Sequence, residues 1–422
     1  MKSVAITGYG GFFPGCYSAS KLFSLLYRGD SLLRSLSLGE FGSPVNVICS
    51  ALQSEDIRFL EEQVAPANLS GQSVHITAKM ALYAVRQALQ HASLDETLLS
   101  KRVGFFTGCN KAIPSLQMFI NLWAREKSLS DEQLQFIGKE INTANQAQAA
   151  RYVAQALGLE GPAMTFADAC TAGAAALVAA QRRIQAGELD VVICGGTEQA
   201  SHPLMQMFFA KLGALSSSLP DDPTTVCRPF DQDRSGCLLA DAAAFLVLES
   251  VEHAQRRNAP ILAYLSGSSR QSEAHKMTAT DSSGVFYAKA MQGALFDAGL
   301  EASDIQHINA HGTSTPLNDA AESRALEQVF YQQSFIPPTI TSTKSALGHS
   351  LGATSAVEAV LSVESLRQQK VLPTLNYHRP GVNEPHLSIV TQGQPQALTR
   401  VLSNSFGFGG ENASLIFSRG ES

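Results

Sequence analysis

The chain has 422 residues, 45% of them hydrophobic and 16% charged, with a formal net charge of −6. That length suits two or three ordinary domains, or two halves fused over one core, with enough apolar residues to bury a large interior. No basic stripe points to nucleic acid, no run approaches about 18 uninterrupted apolar residues, and no basic-then-apolar N-terminal stretch marks a signal, so neither a membrane span nor secretion is expected.

The first predicted element is a strand at VAITG, from Val4 to Gly8. An insertion over about 40–75 precedes an amphipathic helix, VHITAKMALYAVRQALQHA, and then a second apolar strand, RVGFFTG. A second insertion, about 110–150, includes the polar helical pattern SDEQLQFIGKEINTANQAQAARYVAQAL. The segment FADACTAGAAALVAAQRRIQAG then ends an extended stretch, presents Cys170 and opens an Ala-rich helix; DVVICGG follows as a third buried strand. Beyond Asn258-Ala259-Pro260, the strands ILAYLSGSS, IQHINAHG and TITSTKS alternate with helices at GVFYAKAMQGALFDAGL and at 351–369. The chain closes on RVLSNSFGFGGENASLIF, a strand, a Gly-rich turn and a returning strand. Each half runs strand, helix, strand, helix, which predicts parallel sheets with right-handed crossovers. The division falls into a half 1–258 carrying Cys170 and a half 259–422.

Cys170 carries the clearest chemical signal. At a helix N-terminus a thiol meets free N–H groups and the positive end of the helix dipole, worth roughly 0.3–1 kcal/mol toward thiolate. The small residues Ala169, Thr171, Ala172 and Gly173 leave room for a bulky acyl group. A buried structural cysteine is the competing reading. Three further segments place chemistry at apparent strand ends: His311 in a Gly/Thr/Ser/Pro turn, Lys344 and His349 ahead of a helix carrying Glu358, and Phe406 with Phe408 in the Gly-rich turn. Each alone is weak, and together they mark a site. A metal site is not expected. His307 and His311 would lie roughly 13 Å apart on a strand rising about 3.3 Å per residue. The seven cysteines, at 16, 49, 109, 170, 194, 227 and 237, contain no C-x-x-C pair and fit a reducing, cytoplasmic setting.

The ordered motifs VAITGYGGFFPG, DVVICGGTEQA, CRPFDQDRSGCLLAD, AHGTSTP, KSALGHSLGA and NSFGFGGEN resemble a β-ketoacyl-acyl-carrier-protein synthase of the elongating, thiolase-fold type over nearly the whole chain. The resemblance implies two thiolase-like halves in a five-layered α/β/α/β/α sandwich. It makes Cys170 the acylated nucleophile, His311 and His349 the paired histidines, and Lys344 with Glu358 an ion pair ordering the second histidine loop. Thr313 and Thr315 match positions that bind the pantetheine arm. Phe406 sits with the substrate-binding set, and Phe408 matches an aromatic gate whose N–H forms the oxyanion hole with that of Cys170.

The implied reaction is a decarboxylative Claisen condensation of a Cys-bound acyl group with malonyl-acyl carrier protein. It needs no bound cofactor beyond the carrier's phosphopantetheine arm. Two imidazoles can donate to the enolate oxygen, where a carboxylate would repel it. The implied partners are an acyl carrier protein and a second copy of the chain, with a heterodimer of related subunits as the variant.

Departures from the family pattern favour a specialised, polyketide-type pathway over housekeeping fatty-acid synthesis. The usual Gly-Glu-Gly-Ala-Gly is Ala240-Asp241-Ala242-Ala243-Ala244, and the usual Gly-Asp is Asn318-Asp319. Glu411 replaces a gate-loop Thr, and Asp168 puts an acid two residues before the thiol, where burial would demand a partner. Carrier docking is also unusual: ALSSSLPDDP is acidic where relatives offer a basic residue, and Arg182 and Arg183 read as a solvated face. Two alternatives stand beside the condensing enzyme: a chain-length-factor-like partner subunit, and an acyltransferase that loads Cys170 without decarboxylation.

Overall fold

The computed structural model describes residues 4–38, 45–64, 74–95, 102–111, 144–331 and 335–420, with isolated positions between 130 and 138. The first half contributes β1 (Val4–Phe12), β2 (Val103–Gly108), β3 (Ala163–Phe166), β4 (Val191–Gln199) and β5 (Leu239–Ser250). The second contributes β6 (Ala263–Ser272), β7 (His307–Asn309), β8 (Thr339–Thr341), β9 (Arg400–Gly407) and β10 (Glu411–Ser418).

The two halves repeat one topology. Across the sheet the order is β3-β2-β4-β5-β1 and then, continuing, β6-β10-β9-β7-β8. Both halves therefore place their third, second, fourth, fifth and first strands side by side. In each, the third, second and fourth strands are parallel (β3, β2, β4 and β8, β7, β9), the third standing at the sheet's edge, while the fifth strand runs antiparallel to the fourth and the first. The wholly parallel sheets expected from the strand–helix alternation are thus corrected to mixed ones. The halves also join edge to edge, with Val4, Ala5 and Ile6 antiparallel to Leu265, Tyr264 and Ala263.

Helices complete five layers. Helices α1 (Ile76–His91) and α2 (Gln148–Ala156) cover the outer face of the first sheet; α4 (Val285–Ala298) and α5 (Pro316–Leu326) cover the second. Between the sheets lie α3 (Ala172–Gln185) and α6 (Thr354–Gln368). A helix walled in on all sides cannot be amphipathic, and α6 is buried continuously from Thr354 to Leu366. Close crossing of the two central helices depends on Gly173. A Cβ there would sit 2.8 Å from Ser355 Oγ, which instead accepts a hydrogen bond from Ala174 N at 2.8 Å. Each fully buried Leu or Val of this layer, such as Leu177 and Val360, contributes roughly 1.5–3 kcal/mol.

Of the two expected insertions, the structure describes in the first a strand Val45–Ser50, which pairs with Arg34–Leu38 ahead of it, and a helix Ser54–Gln63. Most of the second lies outside the described residues, and the polar helical pattern is described chiefly at its end, as α2. Among the described residues no helix is long and apolar enough to cross a membrane.

Candidate active site

The parallel strands of both halves end at one place, where sites of α/β sheets are built. Cys170 follows β3, His311 follows β7, Lys344 and His349 follow β8, and Phe406 to Phe408 end or follow β9. Cys170 sits in the single turn Ala169–Thr171 that leads into α3. Ala169 adopts φ +48, a left-handed conformation costly for alanine. Asn110 Nδ2 donates to the carbonyl of Ala169 at 2.8 Å and holds the turn. Asn110 is itself anchored by Glu198, whose buried carboxylate accepts from the N–H groups of Asn110, Lys111 and Gly352.

His349 is held by its backbone, its N–H donating to Leu238 O at 2.7 Å while Ala240 N–H donates to its carbonyl at 3.0 Å. This brings His349 Nε2 to 3.1 Å from Cys170 Sγ. The His311 turn is cradled by α5: Glu322 accepts from His311 N and Gly312 N, and Asp319 accepts from Thr313 N, Ser314 N and Phe230 N. The two imidazoles meet edge to face, with centroids 5.4 Å apart. One donor atom each from Cys170, His311 and His349 lies within 4.8 Å of the other two.

Lys344 and Glu358 form a fully buried ion pair. The resemblance assigned this pair to the second histidine loop, but its contacts run to the first histidine. Lys344 Nζ lies 2.6 Å from His311 O and 3.3 Å from His311 Nδ1. An ammonium donates only, so Nδ1 is the acceptor and the His311 proton resides on Nε2.

Burial governs the protonation states. It pushes the Cys170 thiol up to about 12, against the opposing pull of Lys344 and of the Phe408 N–H that points at the sulfur. Burial first, and Lys344 second, drive both His311 and His349 well below the ordinary histidine range, so both are neutral. Glu358 is raised by burial and drawn back by Lys344, and burial raises Glu198 to about 7.

The gate turn depends on Gly407. A Cβ there would stand 3.2 Å from Cys170 N and 3.3 Å from Ala169 Cβ. The backbone of the turn thus passes close to Cys170 N, and the N–H of Phe408 points at the sulfur. Phe406 stacks on Tyr287 at 3.6 Å and sets its edge against His311. The Thr313 and Thr315 hydroxyls lie 2.8 Å apart. Both line a cavity of about 250 Å³ shared with Cys170, the histidines, Tyr287 and Phe408.

The departures acquire partners. Asp168 and Glu411 both pair with Arg270, and Asp241 accepts from Leu52 N, Ser201 N and Ser201 Oγ. Asn318 accepts from the Tyr287 hydroxyl at 3.2 Å. Arg182 and Arg183 pair with Asp297 and Glu188 at the surface. His307 turns to Thr339. Sequence reasoning missed Tyr287, Glu322 and the Glu198–Asn110 support. An acid closing the apolar run DVVICGGTE was the available signal for Glu198.

A thiol against a neutral imidazole, with the Phe408 N–H beside it, is equipped for acyl transfer, and comparison with known proteins agrees. The family model "Beta-ketoacyl synthase, N-terminal domain" matches residues 1–254, and "Beta-ketoacyl synthase, C-terminal domain" matches 262–378. The chain belongs to the β-ketoacyl synthase family. Among its relatives is a 3-oxoacyl-[acyl-carrier-protein] synthase 2 of Coxiella burnetii, 31% identical over 99% of both chains. A type II polyketide ketosynthase, solved in complex with its acyl-carrier protein and bound to the hexaketide, is 26% identical with a TM-score of 0.85. The ishigamide ketosynthase/chain length factor is 28% identical with a TM-score of 0.84. Both solved structures align over 100% of either chain.

Proposed function

We propose that the protein condenses a Cys170-bound acyl group with a malonyl thioester on a carrier protein, releasing carbon dioxide and a β-ketoacyl thioester. The observation that carries this reading is the 3.1 Å approach of His349 Nε2 to Cys170 Sγ, with His311 beside it. In the first half-reaction the sulfur attacks the thioester carbonyl. Its proton passes to His349 Nε2 and on to the departing carrier sulfur. The N–H groups of Cys170 and Phe408 hold the oxyanion, a contribution of about 2.7–4 kcal/mol for each such donor.

In the second half-reaction the malonyl carbon–carboxylate bond breaks. The electron pair left behind forms an enolate, whose oxygen accepts from His311 Nε2–H. The enolate carbon attacks the acyl-Cys carbonyl, the carbon–sulfur bond breaks, and the Cys170 sulfur regains a proton taken up from solvent by way of His349 Nε2. Lys344 and Glu358 act through His311. Thr313, Thr315 and Phe406 line the approach of the phosphopantetheine arm.

We read the assembly as a homodimer, because β3 is an edge strand pairing only with β2 among the described residues, which leaves its outer edge for a second copy. The departures at Asp168, Asp241 and Glu411 favour a polyketide-type substrate over a housekeeping fatty acyl chain. The test is an intact-protein mass spectrum after acyl-carrier protein and then malonyl-carrier protein. An acyl adduct on Cys170 followed by an extended carrier-bound product is expected. An adduct that never extends would favour simple acyl transfer, and no adduct at all would favour a non-catalytic partner subunit.

A further inference from the structure

Asp168 precedes the nucleophile by two positions, and Glu411 follows Phe408 by three. Both carboxylates meet at one nitrogen. Arg270 Nη2, from β6, lies 3.0 Å from Asp168 Oδ2 and 3.3 Å from Glu411 Oε2. The three side chains are about equally exposed, at 35% for Arg270, 29% for Asp168 and 36% for Glu411. The gate turn is not rigid by composition, since Gly409 and Gly410 hold φ +87 and +80. Its far side is tied by backbone bonds, Gly409 N–H to Met277 O and Glu273 N–H to Gly410 O. On the side facing Cys170, Arg270 is the charged tie among the described residues.

We propose that Arg270 is a positioning residue, a charged latch joining the nucleophile turn to the gate turn so that the N–H groups of Cys170 and Phe408 stay in register. The inference rests on the condensing-enzyme reading, in which those two groups form the oxyanion hole. Removing the guanidinium has a double effect. It unties the turns, and it leaves two carboxylates facing each other with nothing between them, so that they repel. An exposed ion pair adds only about 0–1 kcal/mol to stability. The latch therefore acts on the rate far more than on the fold.

The experiment is single-turnover acylation of Cys170 by a neutral acyl-N-acetylcysteamine thioester, read by intact mass across donor concentrations. A neutral donor removes carrier electrostatics from the result. Arg270→Gln is expected to lower the maximal rate about tenfold, a fraction of the ~10²–10³ lost with a whole oxyanion donor, with half-saturation changed less than about twofold. Arg270→Gln combined with Glu411→Gln removes the repulsion and recovers a clear part of the rate. The unsubstituted protein slows in about 1 M salt, where the screening length is about 3 Å, and the Arg270→Gln variant does not. A maximal rate unchanged in Arg270→Gln, or a loss confined to melting temperature, overturns the latch alone. Failure of the unsubstituted protein to acylate overturns both the latch and the function it serves.

Discussion

The ammonium of Lys344 lies 3.3 Å from Nδ1 of His311 and 2.6 Å from the carbonyl oxygen of the same residue, so one buried cation fixes both the ring and the backbone of that histidine. Its own charge is balanced by Glu358. The pair sets the His311 tautomer and leaves the ring's proton on Nε2.

Lys344→Met therefore has two separable effects. It strands Glu358 without its cation, and breaking a buried pair in this way costs about 3–5 kcal/mol. It also frees the His311 tautomer. The double variant Lys344→Met with Glu358→Gln is expected to regain most of the stability in a melting experiment. Decarboxylation of malonyl thioester should stay low in both variants, while acylation of Cys170 falls less. Full recovery of decarboxylation in the double variant would remove the tautomer-setting role.

Gly407→Ala tests the close approach of the gate. The new Cβ meets Cys170 N at 3.2 Å and Ala169 Cβ at 3.3 Å, and relief requires the turn to move away from the sulfur. Acylation should fall by about 10²-fold as the Phe408 donor is displaced. Thermal denaturation should barely change, because φ at this position is not in the left-handed region. A variant that acylates normally would show that the Phe408 N–H is dispensable.

The Cys170 thiol is pushed up to about 12 by burial. Alkylation by iodoacetamide should accordingly accelerate with pH from 6.5 to 10 without levelling off, since only the thiolate reacts. Transfer to a thioester, in which His349 takes the proton, should show no step near pH 6.5, because both histidines are already neutral there. An alkylation plateau below pH 8 would mean that the helix end and Lys344 outweigh desolvation.

Glu198 gives a stability prediction with a definite sign. Its folded-state pKa is raised to about 7, against about 4.3 for a free glutamate. Between those values the folded state binds more protons than the unfolded one, so this contribution is present at low pH and is lost as pH rises toward 7 and above. Glu198→Gln cannot titrate. Whatever its offset at pH 5, it should gain on the unsubstituted protein by about 2 kcal/mol on going to pH 8, as measured by urea denaturation. Parallel pH profiles would place the carboxylate's cost elsewhere.

The sequence drew attention to Cys170, both histidines, Lys344 and Phe408 because each lies in a short motif at a strand end, and to Glu358 because it lies on the helix that follows the Lys344 motif. It did not reveal β5. LADAAAFLVLES is buried at every position, so it shows no alternation, and nothing local states that its neighbours run the other way. Arg270 was invisible for a related reason. Its partners, Asp168 and Glu411, are distant in the chain and meet it only through the pairing of β6 with β10 and the turn into α3. Asp168 did announce that it needed a partner, but the sequence could not say which cation would supply it. Glu322 was missed because its partners are backbone N–H groups, which no side-chain motif records.

The most direct test is to load Cys170 with a stable acyl group and follow that adduct by intact mass after adding a malonyl thioester. The unsubstituted protein should lose the adduct in step with carbon dioxide release and the appearance of a β-ketoacyl thioester. His311→Ala should keep the adduct and release little carbon dioxide. Discharge of the adduct to water or to a plain thiol, with no carbon dioxide and no extended product, would contradict the assignment of a condensing site.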